Sequence, residues 1–178
     1  TSKTVSVVGD FLRISSPINL SKKLSMYAIA GLVLLGFVFL LKSEVSVEAH
    51  IKTGNRLIQQ NRYGEAEVEF KKALGKTRDE ARVYAGLAEV YFNAKRYNKA
   101  ITQFKRSIAL KPSMSKYRYK LANVYHSQGN LKDAEIFYRS AIKENIDNPE
   151  AYFHFGVFLE KQGNLNEATI NYRKAIQI

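Results

Sequence analysis

The chain has 178 residues, with 28 Lys and Arg against 16 Asp and Glu, for a formal net charge of +12. A hydrophobic share of 46% excludes a disordered or collagen-like chain, and zero cysteines exclude disulfides, thiolate metal sites and a cysteine nucleophile. The positive excess admits nucleic acid, an anionic membrane or acidic proteins as partners.

Residues 1–23 are too apolar for a free tail. Val8, Phe11 and Leu12 fit one helical face lying on a membrane or a neighbouring subunit, with a partly ordered leader as the alternative. From Leu24 to Leu41 runs LSMYAIAGLVLLGFVFLL, eighteen residues without a charge. At the helical rise these cover about 27 Å, close to the hydrocarbon thickness of a bilayer. Tyr27, Lys22, Lys23 and Lys42 stand at the ends, as interfacial anchors do. The run starts too late and lacks the small-residue site of a cleaved signal peptide. Residues 24–41 therefore read as a single transmembrane helix. Two lysines before the span against one after it favour an inside amino terminus. The rest of the chain then lies on the opposite, periplasmic or lumenal side.

Beyond the span the sequence repeats every 34 residues: EAEVEFKKAL (65–74), KAITQFKRSI (99–108), DAEIFYRSAI (133–142) and EATINYRKAI (167–176) stand in register. The units are 47–80, 81–114, 115–148 and 149–178. The eighth place of each unit is small (Gly54, Ala88, Ala122, Gly156), as is the twentieth (Ala66, Ala100, Ala134, Ala168). The twenty-fourth is aromatic (Phe70, Phe104, Tyr138, Tyr172), and the twenty-seventh is small again (Ala73, Ser107, Ala141, Ala175). Small places let two antiparallel helices approach, and the ring fills the gap they leave. Apolar residues recur at helical period, as in Leu87 and Tyr91 or Ile101, Phe104 and Ile108. Gln128-Gly129-Asn130 and Gln162-Gly163-Asn164 supply turns, and Pro112 and Pro149 fall between units.

These four copies resemble a tetratricopeptide repeat array over residues 47–178. The expected fold is all-α: one amino-terminal transmembrane helix followed by an α-solenoid of four helix–turn–helix repeats. The resemblance implies a concave groove lined by the first helix of each unit, which binds protein segments. Carried over place by place, it puts Asn55, Arg82, Glu89, Phe92, Lys116, Tyr119, Asn123, His126 and Phe153 on that groove. The chaperone-tail clamp of the family needs Lys at the fifth place. Ile51 and Tyr119 stand there instead, so an acidic chaperone tail is not the expected ligand.

No catalytic constellation appears. His50, His126 and His154 stand singly, outside any HExxH setting, and no Gly-rich phosphate loop is present. Glu65, Glu67 and Glu69 read as a solvated helix face. The chain is accordingly expected to be no enzyme and to need no metal, cofactor or small-molecule substrate. The charge is concentrated in the second unit, where Arg82, Lys95, Arg96, Lys99, Lys105, Arg106 and Lys111 face Glu89 alone. Lys95, Arg96, Lys99, Lys105 and Arg106 form a candidate basic patch. The reading is a membrane-anchored scaffold or accessory subunit that binds and organises proteins of a membrane complex. A basic module binding nucleic acid or anionic lipid and a passive structural subunit are the alternatives. Ala168, Tyr172 and Ala175 leave an apolar edge on the fourth unit, expected to be covered by more chain, a partner or another copy.

Overall fold

The computed structural model describes residues 17–178, with the side chains of 25–37 and 46–178. Among the described residues there are eight helices and no strand. They are α1 (Pro17–Gln59), α2 (Tyr63–Ala73), α3 (Glu80–Asn93), α4 (Tyr97–Leu110), α5 (Ser115–Gln128), α6 (Leu131–Glu144), α7 (Pro149–Lys161) and α8 (Leu165–Gln177). The chain divides into two units, Thr1–Ser43 and Glu44–Ile178.

In the first unit every described side chain from 25 to 37 is exposed, among them Tyr27, Leu32, Val33, Leu35 and Phe37. Among the described residues no helix is long and apolar enough to cross a membrane. The expected span at 24–41 falls partly outside the described side chains, and the expected interfacial segment 1–23 falls wholly outside them.

In the second unit the helices alternate in pairs at the 34-residue period. Each pair closes through a left-handed residue at the same place: Asn61 (φ 58°), Lys95 (φ 58°), Gly129 (φ 87°) and Gly163 (φ 79°). Glycine takes that conformation without steric cost, whereas the lysine pays for it. The residue after it donates its N–H five residues back in every turn. The distances are 2.9 Å for Arg62 to Leu57, 2.7 Å for Arg96 to Tyr91, and 2.9 Å for both Asn130 to Tyr125 and Asn164 to Leu159. This satisfies carbonyls that the ending helix leaves open. Asn130 and Asn164 then cap α6 and α8, their side-chain oxygens accepting from the N–H of Asp133 and Glu167. Arg62 and Arg96 at the equivalent place provide no side-chain cap.

The core follows the small-and-aromatic register. Phe70, Phe104 and Tyr138 are each 1% exposed, against alanines at the twentieth place that are 0–2% exposed. Phe70 is wedged between two glycines. A methyl group on Gly54 would lie 2.7 Å from its ring, and one on Gly86 only 2.1 Å. Gly156 bears the same relation to Tyr172, at 2.7 Å. Ser107, the polar exception at a small place, is fully buried and donates to the Ala81 carbonyl at 2.7 Å. At the far edge Ile176 is 85% exposed, whereas Leu74, Ile108 and Ile142 at the same place are half-buried against the core.

Candidate protein-binding groove

The first helices of consecutive pairs line a groove of about 490 Å³, built from the end of α1, α3 and α5. Residues one helical turn apart project to one face, so each helix contributes a short ladder. Glu48 and Asn55 come from α1, Arg82 and Glu89 from α3, and Lys116 and Lys120 from α5, over an apolar floor that includes Ile58 and Tyr117. Two ion pairs cross between helices, Arg82 to Glu48 and Lys120 to Glu89. Lys116 has no carboxylate within ion-pair distance among the described residues; its ammonium lies 5.4 Å from the centre of the Tyr117 ring.

A second, smaller cavity of about 210 Å³ opens beside Glu89. Phe92, Phe104 and Tyr119 supply its apolar wall, and Asn123, Lys120 and His154 its polar rim. Tyr119 stacks on His154 of the next repeat, with centroids 5.1 Å apart and planes at 15°. Only 8% of Tyr119 is exposed. Burial, with Glu150 and Glu89 nearby, pushes its phenol up to about 12, so it stays neutral. Asn123 accepts a hydrogen bond from the Tyr138 hydroxyl.

Not all sequence-derived groove residues converge. Asn55, Arg82, Glu89 and Lys116 line the larger groove; Phe92, Tyr119 and Asn123 line the smaller cavity, together with Glu89. His126 lies edge-on to Phe158 at 5.2 Å, and the 51%-exposed Phe153 packs on Tyr172 at 6.0 Å. Lys120 and His154 are not among the groove residues that the resemblance implies. Each stands at the sixth place of its unit, two residues before a small place, and that spacing is the signal that would have found them.

Burial lowers the pKa of His126 and His154, with Lys161 and Lys120 respectively adding to it; Glu150 opposes the shift at His154. A histidine held below its unfolded pKa binds its proton more readily in the unfolded chain. Its stabilisation is therefore present above about pH 6.5 and is lost as the pH falls below that value. Urea titrations at pH 7.5 and 5.5 should show a lower midpoint at the acid pH. His154→Gln should shrink that difference; an unchanged difference would refute the assignment.

The basic patch is divided. Lys95 and Arg96 sit on the α3–α4 turn beside Arg62 and Glu65, around a depression of about 570 Å³. Lys99 and Arg106, seven residues apart on α4, lie over Tyr91 (5.6 Å) and Tyr84 (5.7 Å). Lys105 lies over Tyr125 in α5, at 5.9 Å. Among Glu65, Glu67 and Glu69 only Glu65 matches the expected solvated face. Glu67 accepts from Tyr91 at 2.9 Å and pairs with Lys71 at 2.7 Å, and Glu69 binds His50 and Lys72 at 2.7 Å each. They join helices rather than facing solvent because α2 packs its flank against α1 and α3. These hydrogen bonds, with Lys71 the larger influence on Glu67 and Lys72 on Glu69, hold both carboxyls below their ordinary range. Among the described residues no cluster of His, Cys, Asp or Glu is arranged to hold a metal ion.

A family model described as anaphase-promoting complex, cyclosome, subunit 3 matches residues 59–141, and a tetratricopeptide repeat model matches residues 149–178. No curated protein matches the sequence. A crystal structure of MamA is 28% identical, with 77% of this chain and 81% of that chain covered and a TM-score of 0.61. MamA from Desulfovibrio magneticus RS-1 is 18% identical, with 74% of each chain covered and a TM-score of 0.61. The anaphase-promoting complex hetero-tetramer Cut9–Hcn1 is 16% identical, with 74% of this chain and 25% of that chain covered and a TM-score of 0.67.

Proposed function

Because the chain belongs to the tetratricopeptide repeat family, we propose that it is a non-enzymatic scaffold or accessory subunit that docks partner proteins at a membrane. The observation that carries this reading is the groove shared by α1, α3 and α5. Its mixture of apolar floor, amides and charges suits a protein segment. The matching family model describes a subunit of a multi-protein assembly, which supports a scaffold role. The uncharged run 24–41 supports a bilayer anchor, with the repeats on the side opposite the amino terminus.

The test is gentle solubilisation of native membranes and identification of what co-purifies. Wild-type protein should retain one or more subunits of a membrane complex. The groove variant Asn55→Arg/Glu89→Arg should lose them while keeping its helical circular dichroism. Equal recovery by both would overturn the groove reading, and recovery of RNA in a salt-sensitive manner would replace it with nucleic-acid binding. Protease protection of the repeats in sealed vesicles checks the orientation.

A further inference from the structure

Resting on that reading of the groove, we infer that its ligand is an internal, extended peptide segment carrying one acidic side chain and, about three residues away, one large apolar side chain. The two contacts are Lys116 and the cavity walled by Phe92, Phe104 and Tyr119.

The acidic preference comes from charge complementarity within the groove. Arg82 and Lys120 already pair with Glu48 and Glu89, so a carboxylate arriving at either meets a like charge beside it. Lys116 is exposed and pairs with no carboxylate among the described residues. It offers the charge-assisted contact with no described carboxylate, Asp147 and Glu150 beside it included, within ion-pair distance. The same two glutamates disfavour a polyphosphate backbone, which would bring repeated negative charge against them. A chain-terminal carboxylate needs several converging donors. Ile51 and Tyr119, 5% and 8% exposed, occupy places where such cations would stand.

The apolar preference comes from the cavity. Its base is Phe104, which is 1% exposed, and the wall adds Phe92 and Tyr119. At about 210 Å³ it has room for a single large side chain rather than a run of them. Asn123 on its rim can serve the backbone of the entering segment. The spacing follows from α5, which carries Lys116 and, on the rim of the cavity, Asn123. Lys116 and Asn123 are seven residues apart, about 10 Å at the helical rise, and an extended chain crosses that distance in about three residues.

A phage-displayed library of random 12-residue peptides, panned on the full chain in mild detergent, is the probe. Enriched peptides should share Asp or Glu two to four residues from Leu, Ile, Phe or Met. Lys116→Glu should weaken a selected peptide on the order of tenfold, and exchanging the acid of that peptide for Lys should restore binding to the variant. Phe92→Ala should weaken the same peptide, while a peptide ending in a free carboxylate should gain nothing over its amide. Enriched peptides without the acid–apolar pair, or binding indifferent to Lys116→Glu, would overturn this inference and leave the groove reading standing. Failure to enrich any peptide would overturn both.

Discussion

Phe70→Ala is expected to destabilise the Glu44–Ile178 unit by about 3–5 kcal/mol, the usual range for emptying a buried aromatic site. The large end of that range is favoured by the neighbours. Gly54 and Gly86 have no side chain to move into the space, and Ala66 and Ala73 are rigid helix positions fully buried nearby. The cavity therefore stays open instead of collapsing. Phe70→Leu, which keeps most of the volume, should cost much less. Urea titration followed by circular dichroism reads both. A loss below 1 kcal/mol for Phe70→Ala would mean that the ring is not the wedge between the first two repeats.

Asn148→Ala is the second large effect, with an expected loss of about 2–3 kcal/mol. Asn148 is 7% exposed and does two jobs with one amide. Its oxygen accepts from the Ala151 N–H at 3.1 Å, capping α7, and its Nδ2 donates to the Ser115 hydroxyl at 2.7 Å. The cap accounts for about 1 kcal/mol, and the abandoned, buried Ser115 hydroxyl for the remainder. The two residues are 33 positions apart, so this pair ties the first place of the third unit to its last, at the cap of α7. Adding Ser115→Ala should recover part of the loss, because the unsatisfied hydroxyl goes with it. Strict additivity in that double-mutant cycle would show that the two side chains do not interact.

The repeat register was legible because it rests on residue size. Glycines and alanines set at a fixed offset from an aromatic ring leave two helices a single close-packed register, and the structure puts Phe70, Phe104 and Tyr138 where that offset requires. Cap chemistry was less so: Pro149 marks only a break between units in the sequence, and the Asn148 cap in front of it emerges from the structure. The groove was harder to read. Tyr119 shares the period of its groove-lining neighbours, yet it is covered by His154 of the next repeat. Periodicity within one helix says which side a residue faces, but not how far the following repeat overlaps that side. The carboxylates illustrate the same gap. Glu67 looks like its exposed neighbour Glu65 in sequence, and only the approach of Tyr91, 24 residues later, makes it a half-buried acceptor.

The joints between repeats are not made of one material. Ion pairs cross all three, Glu48–Arg82, Glu89–Lys120 and Arg139–Glu167, and packed rings back the first and the third, Phe70 against Gly86 and Tyr119 on His154. Dissolved ions weaken the first kind and leave the second nearly untouched. Concentrated salt thus strips an ion pair from every joint, and what then holds the first and the last is the part that ions do not reach, the ring of Phe70 and the stack of Tyr119 on His154.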